Sequence, residues 1–194
     1  MPGSDPVKPA HSGVKLTYDD FVLFPDDGKR HELIDGEHYV TPSPNMRHQQ
    51  IAGDLFGLMW TYLEAHPVGR VFVATFDVVF SQFDVVEPDI LYLSHDRAAR
   101  VLTPANVQGA PDLVIEVGSP GTRQRDETIK RRLYERAGVS EYWVVDPGTD
   151  MVRIYRRTGD GFGRAIELSR DAGDVLATPL LPGLDLPLAR IFRD

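Results

Sequence analysis

The chain has 194 residues, 42% of them hydrophobic, with no cysteine and 29 acidic against 21 basic side chains, a net charge of −8. These values suit one domain with a real core and exclude a disordered chain, and no apolar run approaches the ~20 residues that span a bilayer. The lack of cysteine removes disulfides and thiolate metal sites and fits a cytoplasmic protein. The acidic balance disfavours a protein that coats nucleic acid non-specifically, because release of counterions from the phosphates by a basic surface drives that binding.

Residues 1–14 are rich in Pro, Gly, Ser and charge and read as a flexible tail, with residues 15–194 as a single domain. Lys8 and Lys15 are followed by no hydrophobic stretch, so no secretory signal is expected. Thr17 caps a short helix from Tyr18, with Asp20 in the capping-box position and Phe21, Leu23 and Phe24 expected to pack inward. Asp35-Gly36 lies between the extended runs His31–Ile34 and Glu37–Val40, a tight-hairpin signal because Gly accepts positive φ. Ile51, Leu55, Leu58, Met59, Tyr62 and Leu63 follow helical spacing over 46–65, and Pro67-Val68-Gly69 ends that helix.

Arg70–Phe80 reads as one strand, Ser81–Val85 as a turn, and Pro88–Leu93 as the next strand. Residues 95–108 suggest a helical turn and loop, and Leu113–Val117 a central strand covered on both faces. After a loop at Ser119–Thr122, a helix is expected from about 124 to 137, with Gly138 as its C-cap. Glu141–Asp146 is a further apolar strand, and Val152–Tyr155 with Ala165–Leu168 a final hairpin. The order predicts a mixed α/β (α+β) sandwich on one central sheet.

Asp89 and Glu116 stand in apolar, strand-like segments, where a carboxylate is costly unless paired or bound to a cation. Together they suggest a divalent-metal site, with Glu32 as a further ligand or a holder of metal-bound water, and the Val117 carbonyl within reach. The alternatives are a strand cap for Asp89 and a structural ion pair for Glu116. Asp126, Lys130 and Tyr134 fall at i, i+4 and i+8 on one helix face, so Lys130 could meet a phosphate or orient water. By spacing alone, an Asp126–Lys130 surface pair is the commoner arrangement. Arg123, Arg125, Arg131, Arg132 and Arg136 make this the most basic stretch, either a phosphate contact or a solvated face. His48 opens the first long helix as a substrate contact, a proton carrier or a capping residue.

Over about residues 16–156 the chain resembles the PD-(D/E)XK nuclease superfamily, and within it the bacterial Uma-type restriction endonuclease group. The features are Glu32-Leu33-Ile34-Asp35-Gly36, His48, Pro88-Asp89, Pro111–Pro120 around Glu116, Asp126 with Lys130 and Tyr134, and Gly138–Pro147. The resemblance implies a restriction-endonuclease-like mixed sheet flanked by helices, cleavage of DNA with Mg²⁺ (Mn²⁺ able to substitute), and often a homodimer. The superfamily pattern places a lysine two residues after the acid, where this chain has Gly118; the similar group supplies it from the next helix, here Lys130. Two other functions compete: a nuclease-fold module that binds nucleic acid or a protein without cutting, and a small-molecule hydrolase using paired carboxylates.

Overall fold

The computed structural model describes residues 13–41, 43–119 and 126–193. The expected tail lies almost wholly outside them, as do Arg123 and the start of the helix expected from 124. No helix among the described residues is long and apolar enough to cross a membrane.

Two sheets form the frame. The larger runs β11(Gly161–Phe162)-β10(Met151–Thr158)-β9(Glu141–Asp146)-β8(Leu113–Val117)-β6(Ile90–Ser94)-β3(Gly69–Val73), with β12(Ile166–Ser169) also on β10. It is mixed, because β8 and β9 are parallel while their neighbours are antiparallel. The smaller sheet is β2(Glu37–Thr41)-β1(Arg30–Ile34)-β5(Asp84–Val86)-β4(Val78–Ser81)-β7(Val107–Gln108). The single central sheet expected from the sequence is therefore two, and the run Arg70–Phe80 is two strands, one in each.

On one face of the larger sheet lies α2(Met46–Ala65), which buries Ile51, Ala52, Leu55, Met59 and Leu63 along one stripe. The C-terminal segment shares this core through β13(Val175–Ala177), β14(Asp185–Pro187) and a last short helix at Leu188–Ile191. The other face packs against the smaller sheet and α4(Arg131–Ala137) through Ile34, Val78, Val86, Leu133 and Tyr134. The first helix, α1(Tyr18–Phe21), has the expected capping box between Thr17 and Asp20. Leu23, expected inside, is 80% exposed; Phe24 turns in instead against Phe21, His31 and His38. α3(His95–Val101) caps with Ser94 and links the two sheets.

The Asp35-Gly36 turn forms as expected, with φ of 54° and 74° joining the directly paired Ile34 and Glu37. Positive φ at both central residues gives the twist a two-residue hairpin needs. This hairpin matters because it fixes which β1 side chains face inward: Glu32 and Leu33 are fully buried, and Arg30 sits on the same face as Glu32.

Candidate active site

The parallel strands β8 and β9 end side by side, and buried charge gathers at that end. In open α/β sheets such strand ends are where ligands sit. Glu116 is the penultimate residue of β8 and is 2% exposed. Continuing the β6–β8 register one residue beyond Ile90↔Ile115 sets Asp89 opposite Glu116. Directly opposite side chains share a face of the sheet.

Lys130 completes the centre from a distance. It closes a π-helical turn, Asp126–Lys130, that leads into α4. Such turns are rare and often found at functional sites. Its ammonium is 2.8 Å from Glu32 Oε1 and 2.9 Å from Glu116 Oε1, and the residue is 1% exposed. One turn on, the Tyr134 hydroxyl donates to Glu116 Oε1 at 2.6 Å. The expected common face of Lys130 and Tyr134 is thus present, and Lys130 is not a surface side chain. Burial first, then the charge of Glu116, push the Tyr134 phenol well above its ordinary value, so it stays a donor.

Asp89 is held by three donors. Arg30 NH1 lies 2.6 Å from Oδ1, His48 Nε2 3.1 Å from Oδ2, and the Val117 N–H donates to Oδ2 at 2.8 Å. Burial pushes this carboxyl up, but the His48 hydrogen bond and the Arg30 charge outweigh it and hold the group at about 2. His48 reaches Asp89 because Asn45 caps α2, accepting the His48 N–H at 2.9 Å and fixing the first turn. Burial alone would lower the Arg30 pKa, yet Asp89, Glu116 and Glu32 together raise it. All three acids therefore surround one guanidinium.

Sequence reasoning missed Arg30 and Glu87. Arg30 NH2 also donates to the Glu87 carbonyl at 2.8 Å, and the Glu87 N–H donates to Glu32 Oε1 at 3.2 Å. Burial, then the nearby Asp77, push the Glu87 carboxyl up to about 7. The available signals were weak: strand alternation puts Arg30 with Glu32, and Glu87 immediately precedes Pro88-Asp89.

Two clefts lead in. One of about 340 Å³ opens at the ends of β8 and β9, with Asn45, Arg47, Gly118, Ser119 and Asp146 in its wall. The other, about 190 Å³, reaches Asp89 past Arg30, Thr41, His48 and Thr75. Gly118 stands at the mouth of the first, and its N–H donates to the Val145 carbonyl at 2.8 Å.

The donor set here is carboxylate and carbonyl oxygen, the chemistry Mg²⁺ prefers. Among the described residues no three His, Asp or Glu side chains stand close enough to enclose an ion. Mg²⁺ does not need such a cage: it commonly takes one or two carboxylates and keeps several waters. Asp89 and Glu116 with the Val117 carbonyl fit that mode, and Glu32 is tied to the same centre through Lys130.

The fold superposes on a crystal structure described as a putative nuclease belonging to DUF820 from Anabaena variabilis, with a TM-score of 0.77. That protein is 21% identical, and the match covers 91% of this chain and 97% of the other. Residues 18–189 match Uma2, a family described as putative restriction endonuclease, and the chain belongs to that family. No curated protein matches it.

Proposed function

We propose that the chain is a Mg²⁺-dependent endonuclease that hydrolyses phosphodiester bonds in DNA, with Mn²⁺ able to substitute. The observation that carries this reading is Lys130, a lysine 1% exposed that bonds two buried acids, Glu32 and Glu116, at the end of a parallel strand pair. A buried ammonium among acids is expensive as architecture, since burying ions costs several kcal/mol apiece. It is well placed to meet charge that develops on a phosphate.

In this reading Asp89, Glu116 and the Val117 carbonyl would hold the ion, and Glu32 would orient the attacking water. Bound there, Mg²⁺ would supply Lewis-acid polarisation of the phosphate and a more acidic water as nucleophile. Lys130 stabilises the phosphate oxygens, and Tyr134 orients Glu116 by its hydrogen bond. Arg30 and His48 fix the Asp89 carboxylate, and the depressed Asp89 pKa keeps it ionised at neutral pH. His48 and Arg123 are proposed DNA contacts, and the protein acts in the cytoplasm.

The test is conversion of supercoiled plasmid by the wild-type chain in Mg²⁺, with Asp89→Ala and chelator as controls. Cleavage that requires both the metal and Asp89 supports the reading. DNA binding without cleavage in either Mg²⁺ or Mn²⁺ would replace the enzyme with a binding module.

A further inference from the structure

The charged centre lies deep. Glu32, Asp89, Glu116 and Lys130 are each at most 3% exposed, and they are reached through clefts of about 340 and 190 Å³. The first turn of α2 divides the two clefts, with Asn45 and Arg47 in the wall of one and His48 in the wall of the other. In an intact duplex each base is stacked inside the helix and paired with the opposite strand, so its phosphate cannot travel alone. A lone strand can follow its phosphate into a cleft of this size; a duplex cannot.

The smaller cleft includes Asp89 and has the lining of a base pocket. Its two full charges, Arg30 and Asp89, are bonded at 2.6 Å and offset each other. Ser43, Gln49 and Thr75 add uncharged polar groups, and Pro44, Ala52 and Val73 add apolar surface. A few polar groups set in apolar walls are the usual make-up of a site for a small organic ligand. His48 is an independent sign of a ligand. It is 8% exposed, its Nε2 is engaged with Asp89, and its buried Nδ1 has no hydrogen-bond partner among the described residues. Buried polar atoms are nearly always bonded, and a ring nitrogen can accept from or donate to a base edge according to its proton. The volume is on the order of six waters at about 30 Å³ each, the space of one base and not of a base pair.

We infer that the substrate strand is unpaired at the cut, with the base beside the scissile phosphate held in this smaller cleft against His48. The inference rests on the reading that Asp89 and Glu116 form the cleavage centre, because their depth sets the path of the strand. It names the substrate class: single strands, loops, bulges and mismatches, where turning a base out costs least. A net charge of −8 acts in the same direction, since non-specific duplex binding draws on a basic surface.

Binding by the metal-free chain separates this inference from cleavage. Fluorescence anisotropy at one salt concentration should show a short labelled duplex with one bulged base bound at least about tenfold tighter than the same duplex without it. A duplex whose bulged nucleotide lacks its base should fall back to the perfect-duplex value. Ser43→Leu and Thr75→Leu narrow the cleft from exposed positions without adding a charge or a ring that could stack. Each should remove the preference for the bulge with circular dichroism unchanged. In Mg²⁺, negatively supercoiled plasmid, which opens more readily, should be cut at least about tenfold faster than the relaxed circle. Equal affinity for bulged and perfect duplex, or no binding to either, overturns the inference. So does equal affinity for the bulge with and without its base, which would make flexibility the feature recognised. Bulge-selective binding by a chain that cuts nothing would remove the nuclease reading and keep the base pocket. Equal cleavage of supercoiled and relaxed plasmid would keep the nuclease and remove the pocket.

Discussion

Glu116 and Glu141 are equally buried, at 2% exposure, at opposite ends of the same pair of parallel strands. Glu141, where β9 begins, accepts from Trp143 Nε1 at 2.7 Å and Thr178 Oγ1 at 2.9 Å, with Arg156 Nε at 3.3 Å. One acid there meets two neutral donors and one guanidinium in an ion pair, and the cluster ties the C-terminal segment to the sheet. At the other end Glu32, Asp89 and Glu116 crowd around Arg30 and Lys130. Burial alone does not distinguish a structural carboxylate from a candidate ligand. The charge balance does, because three carboxylates meet only two basic side chains, Arg30 and Lys130, and that leaves capacity for a cation.

The sharpest way to break this comparison is to neutralise each acid in turn. Glu116→Gln should reduce plasmid cleavage below detection while the metal-free melting temperature changes little, since Lys130 keeps Glu32 as a partner. Glu141→Gln should leave cleavage intact and cost about 1–3 kcal/mol, because an ionic acceptor of two donors, paired with a guanidinium, becomes a half-matched amide. At roughly 2–4 °C per kcal/mol for a chain of this size, calorimetry resolves that loss. Equal losses of stability in the two variants would erase the distinction.

Lys130→Met probes the crowded end alone. The rate should fall by about 10²–10³, as when another group that stabilises developing charge is removed. Calorimetric Mn²⁺ binding should survive, since no ligand is lost. Removing one partner of a buried ion pair typically costs about 3–5 kcal/mol, so the metal-free protein should melt earlier and recover in part when Mn²⁺ is added. Gly118→Lys on this background then asks whether only an ammonium is missing. Position 118 has negative φ, and a Cβ there meets the Val145 carbonyl at an ordinary 3.4 Å. Partial return of rate is expected, and a wild-type rate in Lys130→Met itself would refute the displaced lysine.

A smaller effect separates Asp89 from Glu87, two residues apart and shifted in opposite directions. Asp89 sits at about 2, below its ordinary 3.8, so its contribution is complete above pH 4 and lost as pH falls through 2. Glu87 sits at about 7, above 4.5, so the folded state holds a proton the unfolded state has released. Stability then declines as pH rises from 4.5 to 7. Glu87→Gln mimics the protonated form. Its melting temperature should exceed wild type at pH 8 and match it near pH 4.5; an equal gain at both pH values would assign the effect to packing instead.

Much of this was determined by sequence alone, wherever the cause is local. The Asp35-Gly36 turn, the stripe Ile51–Leu63, the Thr17 cap and the Gly138 C-cap each depend on residues within a turn or two, and each is present. Apolar flanks likewise marked Glu32, Asp89 and Glu116 as buried before any contact was known. Tertiary structure decided the rest. Arg30 meets Asp89 across 59 positions, a pairing that depends on how the hairpin pairs with β5, just before Asp89 in the chain. The run Arg70–Phe80 has one uninterrupted β propensity, yet it divides between two sheets because each half buries against a different partner. Lys130 could equally have faced solvent, since i, i+4 spacing places a side chain on a helix face without saying which way that face is turned. Only the packing of Leu133 and Tyr134 into the second core turns it inward, and with it the ammonium toward Glu32 and Glu116.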